Sequence, residues 1–558
     1  MYSLMLIGGK FVMSGTTPDD REPIRAIPGS DWSKRYKAWV WKPDHKTYKQ
    51  ILISFPGIHI SDEVKVWVEK HLRGVQKLKY LKNLPPEELT FTNAIMDRLY
   101  PYQKVGVNFM KKSVRTIVGD DMGLGKTLES IAAAEETGCK RVLVITLNSI
   151  KFNWESEIIK WGTGYVTVVN GDKKQRDKQL SLYKQYGKYL IINYEGVRIH
   201  QEELTAIEWD AIIVDEAHRL KNRDTLHTIA CKRLRSKYCW LLTGTPMENA
   251  PHELWSLLNM LFPDYFSSFW KFVEQYCVMN EFDVEDKTVR VPTCAISSKE
   301  IHELLQPIMI RRLKEEVLPD LPDKQYVTIP VEMSKDDRRV YKELLKEMIS
   351  ITNKGDIIAT PTVLTQYTRL KQVCITQHLL DSTKTSARSA KLDALEDLVE
   401  SCIADHKIVV YTCFSEALKI VRTNLQARGW KTVEIFGEIT PEGRQMAINL
   451  FQNDPTVRIC LCTIQAGGTG LDGLQYASDI EIFLDKHPNP MKNLQAEDRL
   501  MRIGQKNALT VYSIINKDSI EEYVEYKLMQ KEMSFNKIID GQYTFLEKYM
   551  EHFSKSWK

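Results

Sequence analysis

Two glycines, a lysine and a threonine in the stretch DDMGLGKTLES have the types and spacing that bind phosphate. Gly123 and Gly125 let the backbone turn its amides towards an anion, and a helix beginning near Lys126 adds its positive end. We expect Lys126 to reach the β and γ phosphates of a nucleotide and the Thr127 hydroxyl to bind Mg²⁺. The strict pattern GxxxxGK[ST] fails because Asp120 occupies its first glycine position. An ordinary glycine-rich turn is the alternative interpretation.

A pair of adjacent carboxylates follows in the segment DAIIVDEAHRLKN. Asp215 and Glu216 come at the end of an apolar, strand-like run. Asp215 can hold Mg²⁺, and Glu216 can orient and deprotonate an attacking water. Such carboxylates also occur as plain loop residues, but their place on a later strand after GKT favours a shared site.

Two arginines and a glutamine in QAEDRLMRIGQ suggest a third part of that site. Gln495, Arg499 and Arg502 have spacings of four and three, which predicts one helix face carrying an amide and two guanidinium groups. Arginine is a fixed planar cation suited to phosphate oxygens. We therefore expect this face to meet the nucleotide held at Lys126.

Strand and helix patterns alternate along the chain, and these elements must position the three stretches. Five strand candidates lie at 116–120, 141–147, 189–195, 210–218 and 239–245, and five more lie at 406–414, 431–437, 457–464, 479–485 and 509–516. Strands alternating with helices predict parallel sheets wrapped by helices. The predicted fold class is α/β, with two such lobes, a helical insertion and a small basic N-terminal α+β domain. The predicted domains are 1–83, 84–265, 266–390 and 391–558.

Composition limits the class of protein. The 558 residues are 43% hydrophobic and 27% charged, with a net charge of +4 and ten scattered cysteines. No apolar run of about 18 residues is present, so we expect no membrane partner. Cysteines without a CxxC pair indicate reduced thiols, so we expect an intracellular protein.

The first 83 residues are basic, with 15 Lys and Arg against 8 Asp and Glu. Within them RYKAWVWKPDHKTYKQ interleaves cations with aromatic rings, a composition suited to junctions where single strands leave a duplex. Lys37, Trp39 and Trp41 are the predicted DNA contacts. The alternatives are a small domain's aromatic core, a protein-docking module and a solvated surface.

Several motifs in one order carry a specific resemblance: DDMGLGKT, DEAHRLKN, LLTGTPMENAPHELWSLLNMLFP, IMIRRLKEEVLPDLP, IQAGGTGL and QAEDRLMRIGQ. This set resembles the Swi/Snf-type ATPases of helicase superfamily two over about residues 95–530. The resemblance implies two tandem RecA-like lobes that bind ATP and Mg²⁺ between them. It also implies DNA-dependent ATP hydrolysis and movement along duplex DNA, with Arg499 and Arg502 as arginine fingers.

The family's motifs assign further residues where this chain matches them. Gln103 in LYPYQKVGVNF is similar to the glutamine that reads adenine. Thr243 resembles the residue of the loop that couples the ATP site to DNA. Thr463 and Gly470 belong to a motif that touches DNA and nucleotide, so we assign Gly470 and Gln495 to the nucleotide and both threonines to DNA.

Two departures weaken the transfer. VITLNSIKFNW has Leu147 where many relatives have proline, which affects the DNA contact assigned to Trp154. Met501 stands where the family often has histidine.

The predicted function is an ATP-dependent translocase on double-stranded DNA that remodels or anneals branched structures. The position of the basic module before the motor resembles the HARP-like branch of annealing helicases. Alternatives are a motor that displaces proteins such as RNA polymerase from DNA, and a non-catalytic nucleic-acid-binding scaffold. We expect a monomer in the cytoplasm of a bacterial or phage-infected cell, associated with DNA.

Overall fold

The computed structural model describes residues 2–27, 29–284, 287–353, 361–381, 388–467, 473–502 and 504–540. Sheets of five, seven and six strands and one two-stranded hairpin organise these residues. Within the same ranges, no helix combines the length and the apolar character needed to cross a membrane.

The N-terminal unit is an α+β fold. Its elements are β1 (Ser3–Ile7), β2 (Lys10–Ser14), α1 (Arg21–Ala26), β3 (Asp31–Ser33), β4 (Ala38–Trp41), α2 (His45–Ser54), β5 (His59–Ile60) and α3 (Asp62–Leu81). The strand order is β3-β4-β2-β1-β5, and only the β1–β5 pair is parallel. Trp41, Phe11 and Leu4 form part of its buried core.

Lobe one contains the seven-stranded sheet. Its elements are α4 (Pro101–Ser113), β6 (Arg115–Val118), α5 (Lys126–Glu136), β7 (Val142–Thr146), α6 (Lys151–Trp161), β8 (Tyr165–Val168), α7 (Lys173–Tyr186), β9 (Gly187–Asn193), α8 (Tyr194–Ile199), α9 (Gln201–Thr205), β10 (Trp209–Asp215), α10 (Leu226–Arg233), β11 (Ser236–Leu242), α11 (Leu254–Leu261) and α12 (Phe269–Tyr276). A further strand from later in the chain completes the parallel sheet.

The interval predicted as a helical insertion also contains strands. Its elements are β12 (Cys277–Val284), β13 (Lys287–Ala295), α13 (Ser298–Leu305), β14 (Met309–Ile310), α14 (Lys314–Val317), β15 (Lys324–Val331), α15 (Lys335–Asn353) and α16 (Pro361–Ile375). β12 and β13 form the hairpin. β14 joins the lobe-one sheet beside β6, giving the order β14-β6-β11-β10-β7-β9-β8, and β15 joins the next sheet. The predicted domain boundaries stay predictions.

Lobe two contains the six-stranded parallel sheet, in the order β15-β20-β19-β16-β18-β17. Its remaining elements are α17 (Ala390–Cys402), β16 (Ile408–Thr412), α18 (Ser415–Ala427), β17 (Lys431–Ile435), α19 (Pro441–Asn453), β18 (Val457–Thr463), α20 (Ile464–Gly467), β19 (Ile480–Phe483), α21 (Pro490–Glu497), β20 (Leu509–Asn516) and α22 (Ile520–Phe535). The segment after α22 returns to lobe one, because Ile538 and Ile539 pack in its core.

The ten predicted strands are all present, and the α/β fold class with two RecA-like lobes is confirmed. Central strands such as β7 and β16 are buried along their whole length, which explains their continuous apolar sequences. In a parallel sheet the carboxyl ends of all strands lie at one edge, where ligands bind. β6, β10 and β11 therefore deliver their following loops to the same edge of lobe one.

Candidate active site

The loop between β6 and α5 forms a compact phosphate cradle. Gly123 and Gly125 have φ values of +82° and +85°, in the left-handed region that favours glycine. Lys126 begins α5, and its Nζ donates to the carbonyl oxygens of Asp120 (2.6 Å) and Asp121 (2.9 Å). The ammonium thus lies across its own loop, beside the positive end of a helix.

Asp215 ends β10 and is held by three neutral donors. Its Oδ2 accepts from the Thr146 hydroxyl (3.1 Å) and from Trp154 Nε1 (2.8 Å), and its Oδ1 accepts from the Glu216 amide (2.9 Å). Burial raises the pKa of Asp215 to about 6, and the neighbouring Glu216 carboxylate adds to the shift. A half-buried carboxylate whose donors are all neutral fits a cation. With the Thr127 hydroxyl in the same cleft, these hard oxygen donors suit Mg²⁺.

Glu216 occupies a special backbone position directly after the strand. Its φ of +50° lies in the left-handed region, which is uncommon for a residue with a side chain. Its Oε2 lies 3.3 Å from His218 Nδ1. Burial alone would raise the pKa of Glu216, but His218, Lys126 and Arg499 outweigh it and lower that pKa. The carboxylate is therefore ionised at neutral pH.

Gln103 links the first turn of α4 to the phosphate cradle. Its Oε1 accepts from the Tyr100 amide (3.0 Å), and its Nε2 donates to the Leu124 carbonyl (3.0 Å). The side chain is buried, yet it lines the same cleft as Lys126. Its position beside the cradle is compatible with nucleobase contact, which stays a prediction.

Lobe two places its predicted residues opposite this cradle, although the predicted single helix face is wrong. α21 ends at Glu497, so Gln495 lies on the helix while Arg499 and Arg502 lie in the turns after it. One cleft of about 780 Å³ between the lobes brings together the predicted residues Gln103, Gly123, Gly125, Lys126, Thr127, Asp215, Glu216, Gln495, Arg499 and Arg502.

Arg499 and Arg502 lie close to each other, and each approaches a residue of lobe one. Burial and the Arg502 guanidinium lower the pKa of Arg499, whereas Glu216 opposes that shift. A Cβ atom added to Gly123 would lie 3.3 Å from Arg502 Cγ, so the arginine turn approaches the cradle closely. Two fixed cations thus face the phosphate loop and Glu216 from the other lobe.

Met501, between those arginines, is a core residue. It is buried among lobe-two residues, including Leu500 and Tyr411. Because its side chain points away from the cleft into apolar surroundings, the histidine frequent in the family is not needed to shape this turn.

Three of the predicted DNA contacts lie in buried positions of the two lobes. Trp154 is only 2% exposed and lines the nucleotide cleft, where it binds Asp215. Thr243 and Thr463 are buried at strand ends, and the Thr243 hydroxyl lies 3.3 Å from His218 Nδ1. The three side chains expose little surface in this structure, and their contact with DNA stays a prediction. Gly470 lies outside the described residues.

In the N-terminal unit, Trp41 is 1% exposed and packs in the core, which supports the aromatic-core alternative for that side chain. Trp39 is half-buried, and Lys37 is exposed. Trp32, absent from the predicted contacts, is 48% exposed and packs edge to face on Trp39 with ring centroids 5.6 Å apart. Its position just before the basic run is the feature of the sequence that could have identified Trp32 as a candidate DNA contact.

A second groove adjoins the nucleotide cleft and also lies between the lobes. Leu147, Glu216 and Gln495 line both cavities. The groove's cationic lining comes from both lobes and consists of Arg219, Lys221, Arg444, Lys492 and Lys531. Sequence reasoning missed these cations, although Arg219 and Lys221 directly follow the DEAH carboxylates.

Comparisons with known proteins agree with this architecture. Residues 102–379 match the SNF2-related domain, and residues 390–504 match the helicase conserved C-terminal domain. A CHD3-type chromatin-remodeling factor of Arabidopsis thaliana is 30% identical, with 90% of this chain and 42% of the relative covered. The ISWI chromatin-remodeling complex ATPase of Saccharomyces cerevisiae is 30% identical, with 81% of this chain and 41% of the relative covered.

Among solved structures, the Sulfolobus solfataricus SWI2/SNF2 ATPase core in complex with dsDNA is 27% identical, with a TM-score of 0.37. The match covers 79% of this chain and 93% of that chain. The chain spans less than half the length of the two curated relatives.

The predicted location in a bacterial or phage-infected cytoplasm is wrong, because those curated relatives are chromatin-remodeling proteins of a plant and a yeast. The two matched domains follow each other in this chain and together cover well over half of it. With the cradle, the carboxylates and the arginine turn at one interlobe cleft, the chain belongs to the Swi/Snf-type ATPases of helicase superfamily two.

Proposed function

We propose that the protein is an ATP-dependent translocase on double-stranded DNA, acting as a monomer. The observation that carries this proposal is the interlobe cleft, in which Lys126 and Thr127 of one lobe face Arg499 and Arg502 of the other. A nucleotide bound there would contact both lobes, so binding and hydrolysis would change how the lobes sit together.

Each side chain of the cleft has a role that its surroundings support. Lys126 and the amides at the start of α5 bind the β and γ phosphates. Glu216, ionised at neutral pH, orients the attacking water and accepts its proton. Arg499 and Arg502 stabilise the charge that develops on the transferred phosphoryl group.

Thr127 and Asp215 are the residues that would hold Mg²⁺, which supplies charge neutralisation on the phosphates. Trp154 and Thr146 keep the Asp215 carboxylate oriented towards the cleft. We further propose that Gln103 contacts the nucleobase, since its amide adjoins the cradle.

A short polar chain supports coupling between hydrolysis and the second groove. Glu216 contacts His218, and His218 Nδ1 also lies within 3.3 Å of the Thr243 hydroxyl. His218 Nε2 lies 3.6 Å from Glu248, whose carboxylate accepts from Asn489 of lobe two at 3.0 Å. Thus the catalytic carboxylate connects through one histidine to residues of both lobes that line the groove.

The groove suits the backbone of duplex DNA. Its cations come from both lobes, so closure would move the two phosphate-binding surfaces relative to each other. Contacts of this kind ignore base sequence and weaken with salt. The relatives' names point to remodelling of chromatin, which supports a protein–DNA complex as the substrate class.

The direct test is ATP hydrolysis measured without DNA and with single-stranded, duplex and forked DNA. We expect duplex DNA to raise the rate well above that of the protein alone, because groove occupancy favours the closed lobes. A rate indifferent to every DNA would refute the proposed DNA motor, and absence of hydrolysis would support the scaffold alternative.

We also propose that the N-terminal unit recognises branched DNA, as in the HARP-like branch. Trp32, Arg35 and Lys37 are exposed together on β3 and the turn that follows it, where a ring can stack on an unpaired base. This surface differs from the predicted one, because Trp41 is in the core.

Replacing Trp32 with alanine should weaken binding to forked DNA by about 5- to 100-fold, the range expected for losing one stacked base. Binding to plain duplex should change little, because that contact belongs to the motor groove. The matched control is Tyr165→Ala, an exposed ring on the edge strand β8. Equal losses on forked and plain DNA would exclude junction recognition by this surface.

A further inference from the structure

A segment far along the chain runs directly beside the phosphate cradle. β14 pairs in parallel with β6, and the pairing continues past the strand: the Gly119 amide donates to Ile310 O (2.7 Å) and the Asp121 amide donates to Arg312 O (3.1 Å). Two cradle amides therefore donate backbone hydrogen bonds to a segment about 190 residues away in sequence.

Arg312 binds the carboxylate that Asp120 places in the cradle instead of glycine. Its Nε donates to Asp120 Oδ1 (3.0 Å), and its Nη2 donates to Glu129 Oε1 and Oε2 (2.9 and 2.8 Å). Both carboxylates are fully buried, and burial raises the pKa of Glu129 while the Arg312 guanidinium opposes that rise. The departure from the glycine pattern is thus compensated by a buried ion cluster that joins the cradle to α5.

Lys314 extends this connection to the opposite lobe. Its amide donates to Asp121 Oδ2 (3.1 Å), next to the cradle, where Arg311 also binds the same carboxylate at 3.0 Å. Its Nζ donates to Asp498 Oδ1 (2.6 Å) and to Met501 O (2.7 Å).

The two acceptors of the Lys314 ammonium are on either side of Arg499, and Met501 immediately precedes Arg502. A Cβ atom at Gly123 would lie 3.6 Å from Lys314 Cε and 3.3 Å from Arg502 Cγ, so both side chains approach the same cradle glycine. One residue therefore contacts both the phosphate loop and the arginine turn.

We infer that Lys314 is a positioning residue, which holds the arginine turn in register with the phosphate cradle for ATP hydrolysis. The inference rests on the proposed function, since it concerns the same reaction. Lys314 acts through Arg499 and Arg502, and its own ammonium is already engaged by Asp498 and Met501. A displacement of about 1 Å in such groups can cost about 100-fold in rate.

The turn should survive loss of this lysine. In that variant Asp498 still has Lys324 of lobe two as an ion-pair partner at 3.6 Å. Lys324 also pairs with Glu497 at 3.3 Å. The lobe-two side of the contact thus retains a partner for its carboxylates. Lys314→Ala removes only the side-chain contact between this segment and the arginine turn, whereas the Lys314 amide still donates to Asp121.

The test compares Lys314→Ala, Lys314→Arg and wild type in DNA-stimulated ATP hydrolysis. We expect kcat of the alanine variant to fall about 10- to 100-fold with KM for ATP changed less than about threefold. Arginine, which can donate to both acceptors, should recover most of kcat. Lys419→Ala, at an exposed lysine of α18, is the control and should match wild type.

A second readout needs no turnover. Affinity for the transition-state analogue ADP–aluminium fluoride should fall about 10- to 100-fold in Lys314→Ala, while affinity for ADP alone stays within threefold. Wild-type kcat or unchanged analogue affinity in that variant would overturn the inference. The inference would also be overturned if Lys314→Ala lost analogue affinity, ADP affinity and thermal stability together and Lys314→Arg did not restore them. A wild-type protein that binds the analogue but never hydrolyses ATP would refute the proposed function instead.

Discussion

Replacing Arg502 with alanine should lower DNA-stimulated ATP hydrolysis by about 10³- to 10⁵-fold, the range for an arginine finger. Arg502 lines the nucleotide cleft from lobe two and approaches the cradle glycine Gly123. Its planar cation can meet phosphoryl oxygens as negative charge spreads over them in the transition state. A single alanine removes that charge without touching the lobe-one residues that bind the nucleotide.

The measurement is steady-state hydrolysis at saturating ATP and duplex DNA, together with DNA affinity. DNA binding should survive, since Arg502 does not line the second groove. Arg422→Ala serves as the matched control, because this lobe-two arginine lies on α18 and pairs with Glu434. Hydrolysis at the wild-type rate in the Arg502 variant would show that Arg502 takes no part in the reaction.

The second large effect is expected for Glu216→Gln, which should lower hydrolysis by about 10²- to 10⁴-fold, the usual contribution of a general base. Glutamine keeps the size and the hydrogen-bonding reach of the side chain but cannot accept the water proton. Because His218 and nearby cations lower the pKa of Glu216, the native side chain is ready to accept that proton at neutral pH.

ATP binding by the Glu216→Gln variant should stay near the wild-type level, since Lys126 and the loop amides bind the phosphates. Single-turnover hydrolysis and fluorescent-nucleotide titration separate these two quantities. Glu202→Gln, at an exposed position of α9, is the control and should hydrolyse ATP normally. A Glu216 variant with full activity would require another base.

Sequence patterns captured the central strands because those strands are buried on both faces and therefore continuously apolar. The strands that escaped prediction lack this signal. β15 is exposed along most of its length, and β14 has only two residues. Tertiary contacts decide such elements: β15 pairs along its full length with β20. The helical pattern over residues 266–390 correctly predicted α15 and α16. It gave no indication of β14 and β15, which join the sheets of the two lobes.

The nucleotide cleft could be predicted in large part because parallel strands bring their carboxyl ends to one edge. The helical face of QAEDRLMRIGQ could not, because α21 ends at Glu497 and Lys314 binds the turn that follows. Arg312 and Lys314 belong to the motif IMIRRLKEEVLPDLP, whose resemblance to the family does not show which residues they contact. Only the folded chain shows that their partners are buried carboxylates or belong to the opposite lobe.

The sequence did not show which tryptophan rings are buried and which are exposed. Trp41 and Trp154 looked suited to DNA, yet one packs in a core and the other donates to Asp215. The alternation along β4 does not show which of its rings meets solvent, because the helices packed on the N-terminal sheet decide which side chains are buried. Trp32 remains exposed on the edge strand β3, where only one neighbour covers it.

The most direct test of an ATP-driven translocase is displacement of a third strand from duplex DNA. A labelled triplex-forming oligonucleotide is bound at one end of a duplex, and its release is followed after ATP addition, with Glu216→Gln as the inactive comparison. The wild-type protein is expected to release the oligonucleotide only with hydrolysable ATP, with a delay that grows with duplex length. DNA-stimulated hydrolysis without any ATP-dependent release would contradict movement along the duplex.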